Sequence, residues 1–187
     1  MDFLPNLALK TCALTLAIAA TASCTTMATG ADYQTSNAQT TANTTALALG
    51  NTATAGGSND TVAIGNMANA GLNSATAVGG QANAAGLGST SIGWQSKATA
   101  ERAQAFGHLA NASGVRSTAV GEAAMAGGTN DTVAVGNKAN AGLNSATAVG
   151  GEANAGGLGS TSIGWQSKAS AERAQAFGHL ADASGVR

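Results

Sequence analysis

Few side chains in this sequence are equipped for chemistry. The only histidines, His108 and His179, each follow a glycine and lie 71 residues apart. Catalysis by histidine needs a nucleophile within hydrogen-bond reach and a third group to orient the ring. Two isolated, equivalently placed histidines do not suggest that, so no catalytic residues and no enzyme activity are expected. Asp60 and Asp131 follow Asn59 and Asn130 and could suggest calcium. Calcium needs six to eight oxygen ligands, and calcium-binding solenoids carry Gly-Gly-x-Gly with an Asp in every repeat. Asn-Asp reads instead as a turn, and neither a metal nor a cofactor is expected. Recognition is the chemistry left over. Trp94 and His108, with Trp165 and His179 as their copies, combine aromatic and polar character as binding hot spots do, and Arg102 and Arg173 add charge nearby in sequence.

The scaffold for these residues follows from composition and repetition. The chain has 187 residues, of which 26 are Gly and 45 Ala, with 9% charged and six aromatic residues. So much Ala and Gly cannot fill a deep core built at ordinary packing density. A single Pro and a net charge of −1 do not suit a disordered chain, and near-neutrality removes the electrostatic basis for nucleic-acid binding.

Glycines recur at 50, 65, 79, 93, 107, 121, 136, 150, 164 and 178, every 14 or 15 residues. Each is preceded by one large apolar residue: Leu49, Ile64, Val78, Ile92, Phe106, Val120, Val135, Val149, Ile163 and Phe177. Ala or Ser stands two before and three after each glycine, and Ala five after. Spacing by two is the strand period. Each unit therefore holds two short strands, and stacking ten of them predicts an all-β parallel solenoid roughly 48 Å long. Residues 58–116 return as 129–187 with seven changes, so a five-coil block is duplicated.

A coil this thin cannot enclose both apolar rows. Either Ala and Gly fill it and the Val/Ile/Phe row faces out, or that row is inside and an Ala/Ser sheet is exposed. Both arrangements leave apolar surface, so association of copies is expected, with the large row serving the core or the contact between chains.

Residues 1–22 read as a signal peptide, with a short apolar segment after Lys10 that ends in Ala20-Thr21-Ala22. Thr21-Ala22-Ser23-Cys24 resembles a lipoprotein box, making Cys24 a possible site of lipidation, and residues 23–45 read as a flexible spacer.

Thr61-Val-Ala-Ile-Gly-Asn-Met-Ala-Asn-Ala70, Thr76-Ala-Val-Gly79 and Ser117-Thr-Ala-Val-Gly121 resemble the head repeats of YadA-like trimeric autotransporter adhesins over residues 46–187. The resemblance implies a left-handed parallel β-roll of about ten 14-residue coils. It also implies a homotrimer at the bacterial cell surface or outer membrane, and attachment to host matrix or cell-surface proteins. That family continues into a stalk and a membrane anchor, which the sequence up to Arg187 does not show. Membrane association is then expected only through a missing anchor or a lipid on Cys24. The rival expectations are a non-adhesive surface rod and an ice-binding solenoid, the latter suggested by Thr76, Thr90, Thr118, Thr147 and Thr161 three residues before the glycines. Within the roll, the position after each glycine forms a column reading Gly80, Trp94, His108, Glu122, then Gly151, Trp165, His179. The alternative to ligand binding there is that Trp94 covers the sheet of its own or a neighbouring chain.

Overall fold

The computed structural model describes the backbone of residues 33–34, and residues 38–40 and 45–185 in full. The signal-like segment 1–22 and Cys24 lie outside these residues. Among the described residues every regular element is a strand, and the strands alternate between two parallel sheets of eleven. One, here the wide sheet, has strands of up to four residues, such as Thr61–Ile64 and Thr90–Ile92. The narrow sheet consists of two-residue strands such as Asn83–Ala84 and Lys97–Ala98. Each strand pairs with its equivalent one coil away: Thr76 faces Thr90, Ala77 faces Ser91 and Val78 faces Ile92. The β-solenoid expected from the repeat is what forms. Two further strands, Tyr33–Gln34 and Gln39–Thr40, lie in the stretch read as spacer and pair with Ala46–Leu49 and Thr54–Ala55.

The interior belongs to the small residues. Ala63, Ala68, Ala70, Ala77, Ala82 and Ala84 are fully buried, and the pattern repeats coil after coil. The large row, from Leu49 and Ile64 to Ile163 and Phe177, points out of the wide sheet and is half-buried or exposed. This closes the alternative left open by the spacing: the row is not the core of its own chain. Volume decides the matter, because two sheets joined by such short turns leave room for Ala and Ser side chains, and for Thr only at Thr61 and Thr132. Each buried carbon contributes about 0.8 kcal/mol, against about 1–2 kcal/mol of backbone entropy per ordered residue. A regular backbone ladder, exemplified by Lys97 N–H donating to Ala110 O at 2.8 Å, therefore carries much of the fold.

The coil centred on Gly93 and its copy on Gly164 replace Ala with Ser. Ser91 and Ser96 meet across the interior at 2.7 Å, and Ser96 Oγ donates onward to the Gly93 carbonyl at 3.0 Å. Ser162 and Ser167 repeat the bridge. The two 15-residue coils accommodate their extra residue with help from the following coil. Asn73 Oδ1 accepts from Ser58 N–H, and Asn144 Oδ1 accepts from Thr129 N–H at 2.7 Å. Immediately afterwards, the buried hydroxyls of Thr61 and Thr132 have no partner.

Duplication provides an internal test of which positions matter. The first-block members of the seven changed pairs are Ser58, Ile64, Met67, Gln81, Ala85, Thr99 and Asn111, and none of them is buried. The interior has been copied without change.

Candidate ligand-binding edges

Each coil turns twice, once from the wide sheet to the narrow and once back, so the solenoid has two edges. The first holds the residues one and two after each repeat glycine. The second of these adopts a left-handed backbone in every coil, as at Gln95 (φ 55°) and Leu109 (φ 58°). This sharp turn throws the preceding side chain outward and stacks equivalent residues along the rod.

Trp94 and His108 are consequently neighbours. Their ring centroids lie 5.0 Å apart with planes tilted by 30°, and Trp165 and His179 stack at 4.9 Å and 10°. Half of Trp94 is exposed (50%), as is half of Trp165 (48%). Glycine on the preceding coil makes the stack possible: a Cβ on Gly80 would meet Trp94 Cδ1 at 3.1 Å, and Gly151 stands likewise beneath Trp165. On its other side His108 Nδ1 lies 3.6 Å from Glu122 Oε1, and Asn137 Nδ2 donates to Glu122 Oε2 at 3.3 Å. The sequence column is thus a physical ladder from Gly80 to Asn137. Beside it, Gln95 Nε2 donates to Gln81 Oε1 at 2.8 Å, and Gln166 does the same to Glu152.

Arg102 and Arg173 are not part of this ladder. Both sit in turns that lead from the narrow sheet back to the wide one, on the opposite edge, each beside the preceding glutamate: Arg102 Nε is 3.7 Å from Glu101, and Arg173 Nε is 3.8 Å from Glu172. Proximity in sequence misleads here, because eight residues carry the chain across the narrow sheet.

That opposite edge holds features the sequence reading passed over. Leu87 and Leu158 are exposed there, and Leu72 and Leu143 lie one coil before them. Arg116 makes a two-pronged contact with Asp131, Nε to Oδ1 at 2.7 Å and Nη2 to Oδ2 at 2.8 Å. Arg116 closes the first five-coil block and Asp131 opens the second, so this pair bridges the junction. The hydrogen bonds from Arg116 hold the Asp131 carboxyl below its ordinary range, and Asp131 raises Arg116 further. The signal was available: both residues stand five before a repeat glycine, in adjacent coils.

The two sheets differ in outer surface. Beyond the narrow sheet runs a polar row in which Asn69 Nδ2 donates to Asn83 Oδ1 at 2.9 Å and Asn140 reaches Asn154 at 3.4 Å. Beyond the wide sheet lies the Val/Ile/Phe row. Among the described residues, no three His, Cys, Asp or Glu side chains converge as metal ligation would require.

The YadA head domain repeat matches residues 73–96, 84–110, 98–124, 112–132 and 155–181. This chain carries a YadA-like head domain. The matched stretches start and stop within the stacked coils and include both tryptophan–histidine ladders. No curated protein matches the chain. A YadA-like head on a β-solenoid is a structural, adhesin-type module of the kind presented at the cell surface.

Proposed function

We propose that the head is exported to the bacterial surface and works as a parallel homotrimer that attaches the cell to host matrix or cell-surface proteins. The observation that carries this reading is the outer face of the wide sheet. Leu47, Leu49, Val62, Ile64, Val78, Ile92, Phe106 and their successors follow one another along the rod with Thr and Gln between them and no charge. A continuous apolar face of this length marks an interaction surface. Three copies that turn these faces to a common axis cover them, and the polar sheets with the outer rims of the edges remain open to ligand. Residues 1–22 supply the export signal, and a lipid on Cys24 is one route to the membrane.

Two experiments test it. Light scattering on the full chain should give three times the monomer mass, and Val78→Asp with Val149→Asp should leave a folded monomer, because an unpaired charge in a buried contact is costly. Unchanged mass in that variant sinks the apolar-face contact. For function, the protein should bind immobilised matrix proteins or host cells, and Trp94→Ala with Trp165→Ala should abolish binding while leaving a folded trimer. Binding to none of these leaves a structural rod. Thermal hysteresis would point to ice instead, although Leu47, Val62, Gln104, Val133 and Gln175 interrupt the threonine row.

A further inference from the structure

The two edges of the solenoid complement each other. In parallel copies arranged around an axis, every contact joins unlike edges, the first of one chain to the second of the next. Placed so that each turn meets the turn preceding it in its own coil, the pairs agree. Trp94 meets Leu87 and Trp165 meets Leu158, so exposed apolar side chains cover one another. Glu122 meets Arg116, Lys138 meets Asp131, and His108 and His179 meet Glu101 and Glu172. A displacement of one coil undoes this. Moved one coil toward the C-terminus, Glu122 faces Asp131, His108 faces Arg116, and Lys138 faces Leu143, Asn144 and Ser145; moved the other way, Glu122 faces Glu101 and Lys138 faces Arg116.

We infer that neighbouring copies join edge to edge in this register, so that each candidate binding site is shared by two chains: Trp94 and His108 from one, Leu87 and Arg102 from the next. The inference rests on the parallel trimeric reading above. It returns Arg102 to the tryptophan–histidine ladder from which the fold separates it within one chain. Because the block is duplicated, each seam carries a second such site at Trp165, His179, Leu158 and Arg173, about 24 Å along the rod at strand spacing.

Disulfide trapping tests the register. In a full-length Cys12→Ser, Cys24→Ser background, Gln95→Cys with Leu87→Cys should oxidise to a covalent trimer on a denaturing gel, while either single variant stays uncrosslinked. The displaced pair, Gln95→Cys with Glu101→Cys, should crosslink less. A chain that is trimeric by light scattering yet forms no same-register crosslink, or prefers the displaced pair, overturns the inference and leaves the trimer standing. Dimerisation of Gln95→Cys alone would place like edges together and also overturn it. A chain that is monomeric throughout removes both readings. As an independent measure, Leu87→Lys with Leu158→Lys should increase acrylamide quenching of the two tryptophans in the trimer. Unchanged quenching would mean that the leucines do not cover them.

Discussion

A Cβ on Gly79 would stand 2.5 Å from the carbonyl oxygen of Gly93, with its backbone at φ +130°. The same overlap recurs along the glycine column, which explains physically why each coil carries Gly at this point. Neither relief is open to a side chain: the backbone conformation is one only glycine adopts easily, and the obstacle is the next coil's main chain. Gly79→Ala should cost about 3 kcal/mol or more, enough to unfold the stack locally. Gly142→Ala, with nothing within 4 Å and no left-handed backbone, should be nearly neutral. Thermal melting of the two variants checks the contrast.

The serine bridge predicts an asymmetry. Ser96 gives its proton to the Gly93 carbonyl, so Ser91 must donate to Ser96. Ser91→Ala removes one hydrogen bond and strands nothing, at about 1 kcal/mol. Ser96→Ala leaves a buried Ser91 hydroxyl without its acceptor, at about 1–3 kcal/mol. The double variant should be more stable than Ser96→Ala alone, since Ala63 with Ala68 and Ala105 with Ala110 already build that coil elsewhere. Chemical denaturation of all three variants decides it.

The strands and parallel stacking of ten coils were legible because glycine, the large residue and the alternating alanines keep one spacing, whereas the strands at Tyr33–Gln34 and Gln39–Thr40 were not, because no repeat glycine or large residue marks that coil. Which row faced inward was not, since Ala77 and Val78 belong to the same strand, are both apolar and differ only in volume. The Trp94–His108 contact was legible as a column, because equivalent residues of a solenoid must stack. The place of Arg102 was not, because only a count of strands across Lys97–Ala98 reveals that it has changed edge. The left-handed backbone at Gln95 and Leu109 was also hidden, as neither residue type favours that conformation.

Thr61 and Thr132 offer a route to a more stable head. Their hydroxyls are buried without partners at the start of the coil that follows each inserted residue. Valine keeps the shape and removes the unsatisfied oxygen, so Thr61→Val and Thr132→Val should each stabilise by about 1 kcal/mol. The two sites are five coils apart and should add. A fall in melting temperature would show that the hydroxyls are satisfied in solution.

Arg116 and Asp131 give the head an acid-sensitive junction. Hydrogen bonds from Arg116 depress the Asp131 carboxyl in the folded chain, whereas in the unfolded chain it titrates near pH 3.9. A group whose folded pKa is depressed stabilises above its unfolded pKa, and that contribution is lost as pH falls through the folded value. Arg116, raised further by its partner, stays charged throughout. The contribution should therefore be full at neutral pH, begin to fade near pH 4 and vanish in stronger acid. Both side chains are about half exposed, which keeps it small and sensitive to salt. Asp131→Asn should melt slightly below the parent at pH 7, and the two curves should converge as pH drops below 4. Glu172→Gln serves as the control, because Glu172 and Arg173 are 3.8 Å apart without a two-pronged bond and lie away from the junction. A constant gap between Asp131→Asn and the parent from pH 7 to pH 2 would assign the loss to packing rather than charge.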